Sequence, residues 1–264
     1  MEELKSKAFI SNKSELNSVY KTDTFQKQGL ISIIIPLFNE ENTIENLLKQ
    51  IPNHYQYEII VVNDGSTDES VKRIKQLSDS RIKLINHRKN LGYGEALLTG
   101  FDHVSGEVIV TIDSDGQHDP NEIPKLIQPI LNDKADLVIG SRYLGKCHYK
   151  LPIHTKVGET IVKFILNFLY NQSIKNNQSG FRAFNRKSLK YLKKFKFKDW
   201  GFSTDILFQA GLKGFELLEV PVNVYPRIYG KSRVNLLNIT KSITLCIIIH
   251  FIKKVLNIIY SKLE

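Results

Sequence analysis

The chain is poor in cysteine, in long uncharged apolar runs and in any leader-like segment. Cys147 and Cys246 are the only cysteines among 264 residues and show no C-x-x-C spacing. That excludes a disulfide scaffold or a cysteine-based zinc site and fits a reducing compartment. The amino-terminal M-E-E-L-K-S-K-A-F-I carries acids and no apolar core, so no secretory signal is expected there. In the apolar region 234–260 the longest uncharged stretch, Ser242 to Ile252, is 11 residues. A spanning helix needs about 20. Internal repeats and low-complexity tracts are absent.

Acidic charge is scarce toward one end. Residues 1–185 balance 22 Lys+Arg against 22 Asp+Glu, whereas 186–264 hold 15 against 5. The whole excess of +10 therefore lies in the last 79 residues. Such an end suits an anionic partner, whether membrane headgroups, a phosphorylated substrate or nucleic acid. Biased base composition would enrich lysine as well. Lys241, Lys253 and Lys254 flank Ile and Phe, which predicts one or two helices lying in a membrane interface. A helix closing the core is the alternative.

From Ile31 the pattern alternates regularly. Strand-like runs are Ile31–Pro36, Tyr57–Val62, Ile82–Asn86, Val108–Ile112 and Asp136–Gly140, with helix-like segments near 41–51, 67–78, 93–104 and 121–133. Continuous β-branched runs between amphipathic helices predict an α/β fold with a mostly parallel sheet covered on both faces. Thr67, after Gly65-Ser66, is a candidate helix start. Beyond Gly140 the rhythm changes, with helical patterns at 155–171 and 202–213 and a strand or strand pair over Phe215–Val224. The organisation expected is a polar extension over 1–29, a catalytic domain over 30–233 and a membrane-associating segment over 234–264.

The chemistry concentrates at the strand ends. Val108 to Ile112 delivers Asp113 and Asp115 into a turn that continues through Gln117 and His118. In α/β sheets ligands sit beyond the carboxyl ends of the strands. Two carboxylates there repel unless a cation joins them, and hard oxygen ligands suit Mg²⁺ or Mn²⁺ against a phosphate. An ordinary Asp/Gly turn is the competing reading. After the first strand, P-L-F-N-E exposes Phe38 as a flat face and Glu40 as an acceptor, a pairing a nucleobase wants. Asp64 ends the second strand in V-N-D-G-S-T-D and can accept from a base N–H or a ribose hydroxyl. N-L-G-Y-G-E-A places Gly92 and Gly94 near a dinucleotide fingerprint, but Leu97 occupies the sixth position and His87 to Asn90 separate the glycines from the strand. A glycine-opened helix whose amides approach phosphate or sugar is simpler.

In this order, P-L-F-N-E, V-N-D-G-S-T-D, N-L-G-Y-G-E-A, D-S-D-G-Q-H-D-P and I-G-S-R-Y resemble the family 2 glycosyltransferases with a GT-A, nucleotide-diphospho-sugar transferase fold. The match is nearest the dolichol-phosphate mannose and glucose synthase-like branch and runs from about Ser32 to Arg233. The resemblance implies that Pro36, Phe38, Glu40, Asp64, Gly92 and Asp113 bind the donor. It implies that Asp113, Asp115 and Gln117 hold Mg²⁺ or Mn²⁺, and that Arg142 lines the active site. S-G-F-R-A-F, Ser179 to Phe184, is similar to the segment that closes over the site. Arg227 to Arg233, R-I-Y-G-K-S-R, is similar to the R-x-x-G-x-S-K/R motif. Arg227, Lys231 and Arg233 around Gly230 make a basic loop able to grip an acceptor phosphate. Asn176 stands where the family usually has an acid. Asp205 sits where many members carry a base, although a phosphate acceptor would not require one.

The expected activity is inverting transfer of a hexose from a nucleotide sugar, GDP-mannose or UDP-glucose, to a polyprenyl or dolichyl phosphate. Asp115, Arg142 and Asp205 are the expected catalytic residues. The enzyme would sit peripherally on the cytoplasmic face of a membrane, with a small membrane subunit as a possible partner and no nucleic acid. Transfer to a glycan or cell-surface polymer hydroxyl, a sugar-phosphate nucleotidyltransferase and a non-catalytic sugar-nucleotide sensor are the alternatives. A nucleotidyltransferase would be expected to show a Gly-rich, Lys/Arg-containing loop where this chain has P-L-F-N-E.

Overall fold

The computed structural model describes residues 29–53, 55–192, 201–230 and 236–260. Seven strands form one sheet in the order β3-β2-β1-β4-β6-β5-β7. They are β1 (Ile31–Leu37), β2 (Tyr57–Asn63), β3 (Ile82–Asn86), β4 (Val108–Thr111), β5 (Leu137–Cys147), β6 (Arg182–Asn185) and β7 (Leu217–Val224). All neighbouring pairs are parallel except those of β6, which runs antiparallel to both β4 and β5. The expected mostly parallel sheet is the sheet observed.

Both faces are covered, which is why β1 reads I-S-I-I-I-P-L without polar alternation and is buried throughout. On one face Ile33 and Ile35 pack against α1 (Ile44–Gln50) and α4 (Ile123–Leu131). On the other, Ile34 and Ile109 meet α3 (Tyr93–Asp102), α5 (Ile153–Tyr170) and α7 (Phe202–Leu212). The remaining described helices are α2 (Ser70–Gln76), α6 (Arg186–Leu192) and α8 (Leu236–Tyr260).

Several boundaries differ from expectation for identifiable reasons. β1 continues one residue past Pro36, because β4 pairs with β1 only as far as Ile34 and asks no amide hydrogen of the proline. α2 begins at Ser70 rather than Thr67. The Thr67 amide is taken by Asn39 Oδ1 at 2.8 Å, and the Ser70 amide by Asp68 Oδ1 at 3.1 Å. β5 runs on to Cys147, following β7 with a register shift between Ser141 and Lys146. Asp136 falls outside it, its side chain accepting from the Glu216 amide. The apolar C-terminal region forms one 25-residue helix, α8, packed on α7 and α5. No described helix is long and apolar enough to cross a membrane.

Candidate active site

The loops after β1, β2 and β4 converge beyond the carboxyl edge of the sheet and are stitched together by side chains. Ser114 Oγ donates to the Pro36 carbonyl at 2.8 Å, and Thr43 Oγ1 to the Ser114 carbonyl at 2.7 Å. The Glu40 amide donates to Ser70 Oγ and the Glu41 amide to Asp68 Oδ2, each at 3.0 Å. These bonds fix P-L-F-N-E against V-N-D-G-S-T-D and against D-S-D. Phe38 and Glu40 are half-buried beside them.

Asp113 and Asp115 leave the end of β4 together. Tyr93 Oη, at the start of α3, donates to Asp113 Oδ1 at 3.0 Å. Gly180 closes over the same carboxylate. A Cβ at Gly180 would lie 2.2 Å from Asp113 Oδ2, so only glycine permits that approach. Burial, and next the Asp115 charge, push the Asp113 carboxyl up to about 7, against the Tyr93 hydrogen bond and the Arg182 and Arg227 cations. A buried carboxyl raised in this way beside a second carboxylate is a donor set that a divalent cation relieves, so the residues present fit Mg²⁺ or Mn²⁺.

Arg227 reaches back across this mouth. Its Nη2 donates to Glu40 Oε1 at 2.6 Å and to Asp115 Oδ2 at 3.3 Å. A residue expected on the acceptor side thereby touches one expected donor residue and one expected metal ligand. The segment leading to it is anchored by Gln117, whose Nε2 donates to the Tyr225 carbonyl at 3.0 Å while the Tyr225 amide donates to the Gln117 carbonyl at 2.9 Å. The Gln117 side-chain nitrogen is therefore committed to the Arg227 segment. Lys231 and Arg233 lie outside the described residues.

Asp64 is buried and organises the next loop. Its Oδ1 accepts from His87 Nδ1 at 2.7 Å and the Leu91 amide at 2.8 Å, and Oδ2 from the Gly92 amide at 2.8 Å. Those bonds aim the start of α3, and Tyr93 with it, at Asp113. The Gly92 amide expected near phosphate or sugar instead serves Asp64.

Arg142 lies on β5 with its Nη2 donating to Glu159 Oε1 of α5 at 2.7 Å; Tyr143 Oη donates to the other Glu159 oxygen. His118 is buried against Phe181, and burial followed by the Arg142 charge holds it down at about 4, so it is neutral near pH 7 and offers phosphate no cation. Asn176 Nδ2 donates to the Gly140 carbonyl at 3.0 Å.

Asp205 corrects the expectation of a base facing the crevice. It is 1% exposed, and its Oδ1 lies 2.6 Å from Nε2 of the equally buried His250 on α8. A carboxylate so covered and paired ties α7 to the C-terminal helix.

Four residues escaped sequence reasoning. Tyr93 and Arg182 stood inside quoted motifs without a role. Arg182 is fully buried, donates to the carbonyls of Ser179, Ser203 and Asn177, and has its pKa lowered to about 10 by burial. Glu159 was detectable as the lone acid on an apolar helix face. His250, inside an apolar run, gave no signal of its partner.

The profile of glycosyl transferase family 2 matches residues 32–192. A UDP-N-acetylglucosamine–dolichyl-phosphate N-acetylglucosaminyltransferase of Methanococcus voltae is 34% identical over 223 residues, covering 77% of this chain and 89% of that protein. A dolichol-phosphate mannosyltransferase of Pyrococcus furiosus is 35% identical over 215 residues, 77% of this chain and 59% of its own length. Among solved structures, glucosyl-3-phosphoglycerate synthase from Mycobacterium tuberculosis in complex with Mn²⁺, UDP and phosphoglyceric acid superposes with a TM-score of 0.64. That likeness covers 86% of this chain and 78% of the other at 23% identity, and speaks for the fold. With the strand-end carboxylates, the stitched loops and these matches together, the chain belongs to glycosyl transferase family 2, is a glycosyltransferase of GT-A fold, and falls in the dolichol-phosphate branch.

Proposed function

We propose that the enzyme transfers one sugar, with inversion, from a nucleotide sugar to dolichyl or another polyprenyl phosphate at the cytoplasmic face of a membrane. The observation that carries the reading is the Arg227 bridge from Glu40 to Asp115. It puts a phosphate-binding type of side chain beside the carboxylates proposed for donor and metal. The two relatives named for dolichyl-phosphate transfer support the acceptor class.

In this mechanism Phe38 and Glu40 receive the base, and Asp64 orders the loop that starts α3. A divalent cation held by Asp113 and Asp115 would neutralise the charge of the departing nucleoside diphosphate. Arg227, with Lys231 and Arg233 of the same R-I-Y-G-K-S-R motif, holds the acceptor phosphate so that one oxygen faces the anomeric carbon from the side opposite the leaving group. A phosphate monoester is largely dianionic near neutral pH, with a second pKa of about 6, and brings its own nucleophile. No base is required of the chain, which agrees with the burial of Asp205. Arg142, held by Glu159, lines the sugar side.

The test is transfer from radiolabelled GDP-mannose, UDP-glucose and UDP-N-acetylglucosamine with Mn²⁺, scored by label in the organic phase. Label should enter polyprenyl phosphate with one of these donors, and Asp115→Asn should abolish it while leaving the fold intact. Turnover confined to a glycan hydroxyl acceptor would overturn the lipid-phosphate reading.

A further inference from the structure

Where α5, α7 and α8 pack together, an acid, an imidazole and a thiol meet inside the protein. Cys246 and His250 stand one turn apart on α8 and so share a face. Asp205 meets them from the first turn of α7. All three are buried. One donor atom from each, a carboxylate oxygen, the Sγ and a ring nitrogen, lies within 4.8 Å of the other two. Nδ1 of the His250 ring is buried too and has no hydrogen-bond partner among the described residues. The bond to Asp205 therefore leaves the imidazole half satisfied, and a buried polar atom in that state is costly.

The donor set selects the ion. Two cysteines far apart in sequence build no thiolate cluster, but one thiolate beside an imidazole and a carboxylate is a set that Zn²⁺ accepts. Hard Mg²⁺ or Mn²⁺ prefers the oxygens of Asp113 and Asp115. Zn²⁺ with one thiolate, one carboxylate and a neutral imidazole carries no net charge, which a sealed interior favours. Binding expels the thiol proton. Tetrahedral Zn²⁺ sets its ligands about 3.3–3.6 Å apart, so His250 Nε2 and Asp205 Oδ1, now 2.6 Å apart, need open by only about 1 Å. Phe208, with its ring centroid 5.4 Å from that of His250, gives the site an apolar wall.

We propose that Asp205, Cys246 and His250 form a zinc site that staples α8 to α7, separate from the ion expected at Asp113 and Asp115. It is independent of sugar transfer, and its test needs neither donor nor acceptor. The cluster is sealed, so an ion enters as the chain folds. Full-length protein is therefore produced in medium supplemented with Zn²⁺ or with Co²⁺ and passed over a weak chelator. The wild type should keep one equivalent of zinc. Its cobalt form should show the thiolate charge-transfer absorbance of the near ultraviolet and the strong visible bands of a tetrahedral site. Cys246→Ser should lose the thiolate band and the zinc, whereas Cys147→Ser should keep both. Asp115→Asn should also keep both, which separates this ion from one at the strand ends. Zinc should raise the thermal midpoint of the wild type and leave that of Cys246→Ser unmoved. Wild type that emerges without zinc overturns the proposal, as does a cobalt form with no thiolate band. Zinc retained equally by Cys246→Ser sits elsewhere, and the cluster is then only a buried hydrogen-bonded pair beside a thiol.

Discussion

Arg227 and a divalent cation want the same carboxylate. With Arg227 Nη2 at 3.3 Å from Asp115 Oδ2, a metal ion binding Asp115 competes with the guanidinium. Arg227→Ala should therefore strengthen Mn²⁺ binding, by roughly 10- to 150-fold if a charge-assisted contact of about 1.5–3 kcal/mol is removed. The same variant should transfer less sugar, because the proposed acceptor phosphate loses its partner. Calorimetric titration with Mn²⁺ beside a transfer assay checks the opposite signs; a fall in both would mean that Arg227 orders the site. Gly180→Ala tests a different contact. Its Cβ would enter the space held by Asp113 Oδ2, so metal affinity and turnover should drop together while circular dichroism stays near wild type.

Among the elements, what was legible in the sequence is what one strand or helix specifies by itself. β1, β2 and β4 read directly from β-branched runs, because burial on both faces leaves few polar positions to blur them, whereas β3, the half-buried edge strand I-K-L-I-N, reads from position and spacing. The antiparallel placement of β6 was not legible, since R-A-F-N is only four residues and its neighbours lie more than forty residues away in sequence. The strand-end residues Asp113, Asp115 and Glu40 were legible from position. Glu159, visible as a lone acid, gave no sign that its mate is Arg142 on β5, and His250 was not legible because it meets Asp205 across a helix interface that periodicity cannot show. That interface has a stability signature. His250→Leu takes a buried partner from the Asp205 carboxylate and should cost about 3 kcal/mol, as removing one member of a buried pair does. Thermal unfolding should show it, and Asp205→Asn should be milder. Glu58 supplies a pH test within β2. Burial pushes its carboxyl up, but hydrogen bonds from Ser32 and from the Ser105 and Gly106 amides pull it further down, to a net value below the ordinary 4.5. The stability it contributes is present above 4.5 and is lost as pH falls through the lowered value. Glu58→Gln should flatten that acid limb of the stability curve, and an unaltered limb would remove Glu58 from the account.

At the scale of the whole molecule, charge and apolar surface are segregated. Residues 1–185 are electrically balanced, and the excess of basic residues lies beyond them. Peripheral attachment by such a surface should loosen in high salt or alkaline carbonate, each basic residue contributing only about 1 kcal/mol near an anionic leaflet. α5 adds something that charge alone would not. It carries Phe164 and Phe168 on its outer side and Glu159, which holds Arg142 and Tyr143, on its inner side. Contact on the outer side is expected to reach the arginine through Glu159. Turnover of a water-soluble, short-chain prenyl phosphate should then rise when empty anionic vesicles are added, although the substrate never enters them. Glu159→Gln should uncouple that stimulation while vesicle binding persists, leaving an enzyme that lands on the bilayer without registering the landing.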